Sequence, residues 1–206
     1  MDNGGVGNSY YLNAPGMGDG EGMVNGPRYV SSNDPRTPYV TLGPGPFGGM
    51  MNFPANYAQS GPVTLTMASA TEARLIQAEA ELVADPAGGT WLTRLNQLRQ
   101  TVGLADTTDP GAGLSEPAAM RARVDLLFRE RAFWLYLTGH RQGDLRRLIR
   151  QYAALGYAPD LVYPSSASGA TYPGGTGLYG EVLVAPVPAS ERELNPQYSG
   201  CINSGA

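Results

Sequence analysis

Apolar residues recur at helical spacing over 69–102 and 117–153, and follow no sustained period elsewhere. In "SATEARLIQAEAEL", Leu75, Ala78 or Glu79, and Leu82 fall on one face, and alanines at 70, 73, 78, 80 and 84 leave room for a close neighbour. Ser69 stands three residues before Glu72, the spacing of a capping box. "DPAGG" (85–89) ends this helix, and Thr90 offers an N-cap for a second. The second stripe is Trp91, Leu92, Leu95, Leu98 and Val102, with Gly103 just past its end. A link of about five residues predicts that the two pack antiparallel as a helical hairpin. After a turn-rich stretch (105–116), Pro117 suits a first helical turn. A third helix is predicted from about Pro117 to Thr138, with Val124, Leu127, Phe128 and Leu135 on one face. Gly139 breaks it. A fourth carries Leu145, Leu148, Ile149 and Tyr152 at i, i+3, i+4 and i+7, with Arg146, Arg147 and Arg150 on its polar face.

Residues 1–66 read differently. Turn signals (Asn25-Gly26, Asn33-Asp34-Pro35, Gly43-Pro44-Gly45-Pro46) and scattered tyrosines replace periodicity, with short strands in "YVTL" and "PVTLTM". A segment this long without regular structure predicts a wrap over something larger. Most of the 28 glycines and 17 prolines lie in 1–66 and 156–180. The expected class is therefore mainly α: an irregular 1–66, then a helical 67–206 whose tail is irregular from about 156.

Composition narrows the chemistry. All 14 basic residues are arginine, and a chain without lysine carries neither a Walker-type phosphate loop nor a Schiff base. A net charge of −4 argues against a nucleic-acid partner. Cys201, the sole cysteine, makes no internal disulfide and no cysteine metal site. No apolar run reaches the roughly 18 residues of a membrane-spanning helix, and "MDNGGVGNSYY" has no signal-peptide pattern. Neither a metal nor a cofactor is expected.

The densest chemistry lies in "TGHRQGDLRRLIRQY", which holds the only histidine. His140 and Asp144 at i, i+4 have the spacing of a base and its orienting carboxylate, but no Ser or Cys nucleophile accompanies them. The favoured reading is structural: Glu130, Arg131, His140, Arg141 and Asp144 form a charged network locking two helices at their crossing. Glu79 and Glu81 face different ways on a helix, so they do not flank one scissile bond. Arg146, Arg147 and Arg150 have the charge to grip a phosphate or an acidic partner, but the favoured reading is a face solvated or paired with acids of another element. Twelve tyrosines are present, many in irregular stretches. Tyr10, Tyr11, Tyr29 and Tyr39 are the candidate ligand contacts, because a rigid ring on a loop stacks on a sugar face at low entropic cost. The other reading has such tyrosines fastening loops to the core. Trp91 and Trp134 belong to that core.

"LLFRERAFWLYLTGHRQGDLRRLIRQY" followed by "VAPVPASERELNPQYSG" resembles the C-terminal half of the SusD/RagB family of nutrient-uptake proteins. "TEARLIQAEAEL" and "NQLRQTVGL" are similar to the family's E-x-x-L-I-x-A-E-A helix and its N-x-x-R-x-x-x-G-L partner, and "NDPR" to its Asp-Pro-Arg segment. The likeness runs over roughly residues 33–200, with the landmarks in order. Trp134 and Thr138 stand where the family often carries further glutamates. The resemblance implies tetratricopeptide-like helix pairs beneath irregular ligand-binding loops. It further implies a lipid-anchored parent on the outer face of the outer membrane, where it caps a SusC-like TonB-dependent transporter. The family's N-terminal half, which carries the anchor cysteine, is expected to be missing from this chain, and Cys201 either pairs with a cysteine there or stays a free thiol. The function expected is non-enzymatic binding of an oligosaccharide or peptide for uptake. The alternative is a helical-repeat scaffold that associates with itself or another protein through its Gly/Tyr-rich loops.

Overall fold

The computed structural model describes residues 26–44, 50–55, 66, 68–162, 194–195 and 197. Its frame is four helices: α1 (Ala70–Ala84), α2 (Thr90–Gln100), α3 (Ala118–Trp134) and α4 (Arg141–Gln151). A 3-10 turn (Ala153–Leu155) and a one-turn α5 (Pro159–Val162) follow. Upstream, β1 (Tyr39–Pro44) and β2 (Met50–Pro54) form an antiparallel hairpin, with Tyr39 opposite Pro54 and a bulge between Thr41 and Gly43. The class among the described residues is mainly α. β1 takes in "YVTL", whereas β2 arises at "MMNFP"; "PVTLTM" lies outside the described residues except for Thr66.

α1, α2 and α4 each bury one stripe, and α3 is buried over more of its circumference. Leu75, Ala78 and Leu82 of α1 meet Trp91, Leu95 and Leu98 of α2, and this core continues through Val124, Leu127 and Phe128 into Leu145, Leu148 and Ile149. Burying a leucine of this kind contributes about 1.5–3 kcal/mol, and the six or more involved outweigh the modest helix propensity of the intervening polar residues. Trp91 Nε1 donates to Pro86 O at 3.0 Å, so its one polar atom is satisfied at the turn that joins α1 to α2.

The ends follow local chemistry. Ser69 Oγ accepts from the Glu72 amide at 3.0 Å, which caps α1, but the Glu72 carboxylate turns to His140 instead of closing the box. Gly89, in the left-handed region at φ 73°, is the N-cap of α2, and Thr90 is its first helical residue rather than its cap. At the other end the Leu104 amide donates to Arg99 O and the Gly103 amide to Gln100 O, a Schellman motif. It requires the φ of 75° that Gly103 supplies. α3 stops at Trp134, four residues before the expected Thr138. There Leu137 takes φ 59°, and the Thr138 hydroxyl donates to Leu135 O at 2.6 Å, drawing off a carbonyl that a continued helix would use.

Candidate functional site

Arginine–carboxylate pairs sit at the seams that join α1 to α2 and α4, α3 to α2 and α4, and the upstream segment to α3. Glu81 of α1 holds Arg94 of α2. Asp109 in the link before α3 takes a two-pronged contact from Arg123, at 2.9 and 2.8 Å, and accepts the Gly111 amide. Arg123 thereby holds the Asp109 carboxyl below the usual carboxylate range, against the smaller effect of burial. Asp144 of α4 receives Arg131 Nε and Nη2 of α3 at 2.9 and 2.8 Å, and Arg147 at 3.2 Å. Arg147 continues to Glu79 of α1, which also accepts the Tyr152 hydroxyl at 2.8 Å. Burial and the Glu79 carboxylate together push the Tyr152 hydroxyl well above its ordinary pKa.

Glu130 is the deepest of these acids, 1% exposed. Its Oε1 accepts from Arg99 of α2 and its Oε2 from Arg36 of the upstream segment, both at 2.6 Å. Arg36 is shaped for this by its neighbour: Asp34 accepts the Arg36 amide and two of its guanidinium nitrogens. The Arg36 guanidinium also lies 5.0 Å over the Phe133 ring and 5.3 Å over Trp134. Burial acts to raise the Asp34 carboxyl, but the hydrogen bonds and charge of Arg36 outweigh it and leave it lowered.

The five-residue network expected from sequence is thus divided. Arg131 and Asp144 do lock α3 to α4, but Glu130 turns to different partners, Arg36 and Arg99. His140 does not orient on Asp144: its Nε2 meets Glu72 at 2.9 Å and its Nδ1 meets the Thr138 hydroxyl at 2.8 Å, tying the α3–α4 turn to α1. Arg141 joins none of them and lines a separate groove. Arg147 is a structural arginine, not part of a free cationic face. Sequence reasoning missed Arg36, Arg99 and Glu79 as members; for Glu79 the signal was a glutamate on the buried face of α1, whereas Arg36 sits in a turn where no periodicity marks it.

The tyrosines separate as well. Tyr29 is buried, its ring 5.3 Å from Phe133 and 4.5 Å from Tyr136, so it fastens the upstream segment instead of meeting a ligand. Tyr39, 37% exposed on β1, keeps an open ring. Tyr10 and Tyr11 lie outside the described residues.

Two grooves flank α4. One, of about 640 Å³, is bordered by Glu72, Glu79, Arg131, His140, Asp144 and Arg147, with Ile76 and Ala80 as its apolar side. Arg131 Nη1 is buried beside it with no acceptor among the described residues. The other, of about 570 Å³, runs between α3, α4 and α5. Among the described residues no cluster of His, Cys, Asp and Glu is arranged to hold a metal, and no helix is long and apolar enough to cross a membrane. The chain matches no known protein family, no curated protein and no solved structure.

Proposed function

We propose that this chain is the helical C-terminal part of a cell-surface binding protein of the SusD/RagB kind. It holds a glycan or other nutrient without chemical change and passes it to a SusC-like TonB-dependent transporter at the outer membrane, its parent being lipid-anchored. In this reading α1–α2 and α3–α4 are two tetratricopeptide-like pairs. The observation that carries it is the meeting of three distant landmarks of the resemblance on one carboxylate. The Asp-Pro-Arg segment, the N-x-x-R helix and the Glu-Arg helix come together as Arg36, Arg99 and Glu130. Asn96 of the same N-x-x-R unit holds the returning chain, giving and taking hydrogen bonds with Thr107 at 3.0 and 2.9 Å.

The groove beside His140 suits such a ligand. Its lining alternates donors and acceptors, with Ile76 and Ala80 as an apolar side on which a sugar face would lie. Titration calorimetry with neutral oligosaccharides and short peptides, followed by chromatography of the ligand, tests the reading. Saturable binding with the ligand recovered intact is expected, and the transporter should co-purify with the parent protein. Conversion of the ligand, or silence across the whole panel, overturns it. The scaffold reading has its own support in Ile76 and Val83, 54% and 58% exposed on α1.

A further inference from the structure

We propose that the second groove, between α3, α4 and α5, binds an organic carboxylate carried on an apolar body. Four arginines border it: Arg28 from the upstream segment, Arg121 and Arg129 from α3, and Arg141 from α4, with Asp125 the one acid among the described lining. Arg121 is committed, donating to Leu155 O at 2.8 Å and stacking 4.6 Å over Tyr157. Asp125 is committed too, as acceptor of the Tyr157 hydroxyl at 2.6 Å. That leaves Arg28, Arg129 and Arg141 around the opening, none paired with an acid of the described chain. They differ in this from Arg36, Arg94, Arg99, Arg123, Arg131 and Arg147, each of which holds a carboxylate.

Clustered like charges raise the local positive potential, and a bound anion relieves it. A guanidinium fork matches a carboxylate in plane and takes it through two parallel hydrogen bonds. The floor selects what the carboxylate is attached to. Leu145, Leu148 and Val162 are apolar and buried, and Leu161 at the rim is 52% exposed, surface that an apolar body removes from water. A volume of about 570 Å³ lies in the range of small-molecule sites, roughly 300–1,000 Å³. A bare inorganic anion leaves that floor wet, and a neutral amphiphile leaves the arginines unanswered.

Three probes separate these cases by titration calorimetry on the 206-residue chain: 3-phenylpropionate, 3-phenylpropan-1-ol and inorganic phosphate. The expected result is saturable binding of phenylpropionate, about tenfold or more tighter than either control, weakening as salt rises. Arg129→Gln and Arg141→Gln should each cost about tenfold, and Leu161→Asn should weaken phenylpropionate but not phosphate. Arg146→Gln, on the same helix but outside this groove, should change nothing. Melting curves establish that each variant is folded, and Arg28→Gln replaces any helix variant that is not. Equal binding of phosphate overturns the proposal, because the floor is then unused. So does equal binding of the alcohol, binding indifferent to all three arginines, or no binding of phenylpropionate.

Discussion

Glu130 shows how a buried charge is tolerated here: each oxygen has a guanidinium of its own, so neither Arg36 nor Arg99 is left desolvated without a counter-charge. Removing Glu130 costs more than either pair contributes, because Arg99 then stays part-buried without a carboxylate and Arg36 keeps only Asp34. Glu130→Ala should lower unfolding free energy by about 3–5 kcal/mol in urea titrations, and Glu130→Gln by less, since its amide oxygen still accepts one of the two arginines. A loss below about 1 kcal/mol for the alanine variant would mean that water reaches both guanidinia. Asp34 and Asp109 tie the same logic to pH. Their carboxyls are lowered in the folded chain relative to the unfolded one, so near pH 4 the unfolded chain binds more protons. Stability from these groups is therefore whole above the ordinary carboxylate range and is lost as pH falls through the folded values. Denaturation midpoints should hold from about pH 7 to 5 and drop from about pH 4 downward. The Asp34→Asn/Asp109→Asn double variant should be weaker at neutral pH with a shallower acid decline; an unchanged decline would assign the acid sensitivity to other carboxylates.

Two glycines of the helical frame give opposite expectations from the same substitution. Gly103 closes α2 at φ 75°, where a Cβ is strained, so Gly103→Ala should destabilise by about 1–2 kcal/mol. Gly143 lies inside α4 with nothing near its missing Cβ, so Gly143→Ala should stabilise by roughly 0.5–1 kcal/mol through helix propensity. Differential scanning calorimetry of both variants checks the pair, and a shift of the same sign in both would contradict the assigned backbone. That α2 ends at Gly103 was readable in advance because φ > 0 leaves a mark in residue choice. The stripes of α1 to α4 were readable too, since a helix buried on one side repeats its leucines at 3.6 residues. Where no residue type carried the signal, the reading slipped: "WLYLT" contains no Gly or Pro, yet the chain leaves the helix there because Thr138 bonds back to Leu135. "MMNFP" alternates too poorly to announce β2. The charged site was half legible for a similar reason. The placing of Glu130, Arg131 and Asp144 at a helix crossing said that they would be paired, but the partner depends on which element packs alongside, and Arg36 lies 94 residues from Glu130. The arginine groove left a trace in Arg121, Asp125 and Arg129, spaced four apart on α3. Nothing in that spacing said that α4 and α5 would wall it.

α1 carries two apolar ridges but buries only one. Leu75, Ala78 and Leu82 face the core, whereas Ala73, Ile76, Ala80 and Val83 face outward. An exposed apolar ridge of this kind is a surface on which another helix can pack. Left open in water, it favours association over solvation, because covering two large aliphatic side chains and two alanines removes apolar area at about 25 cal/mol per Å². The 21.7 kDa chain is therefore expected to run as oligomers in multi-angle light scattering, with the apparent mass rising with concentration. Ile76→Glu combined with Val83→Lys replaces the ridge by opposite charges. It should shift the chain toward monomer while the melting temperature changes little, since neither side chain belongs to the buried stripe. If the double variant associates as strongly as the wild type, the contact lies elsewhere. If the wild type is already a monodisperse monomer that unfolds in one cooperative step, these residues close their own core, and the outward ridge of α1 is ordinary solvated surface.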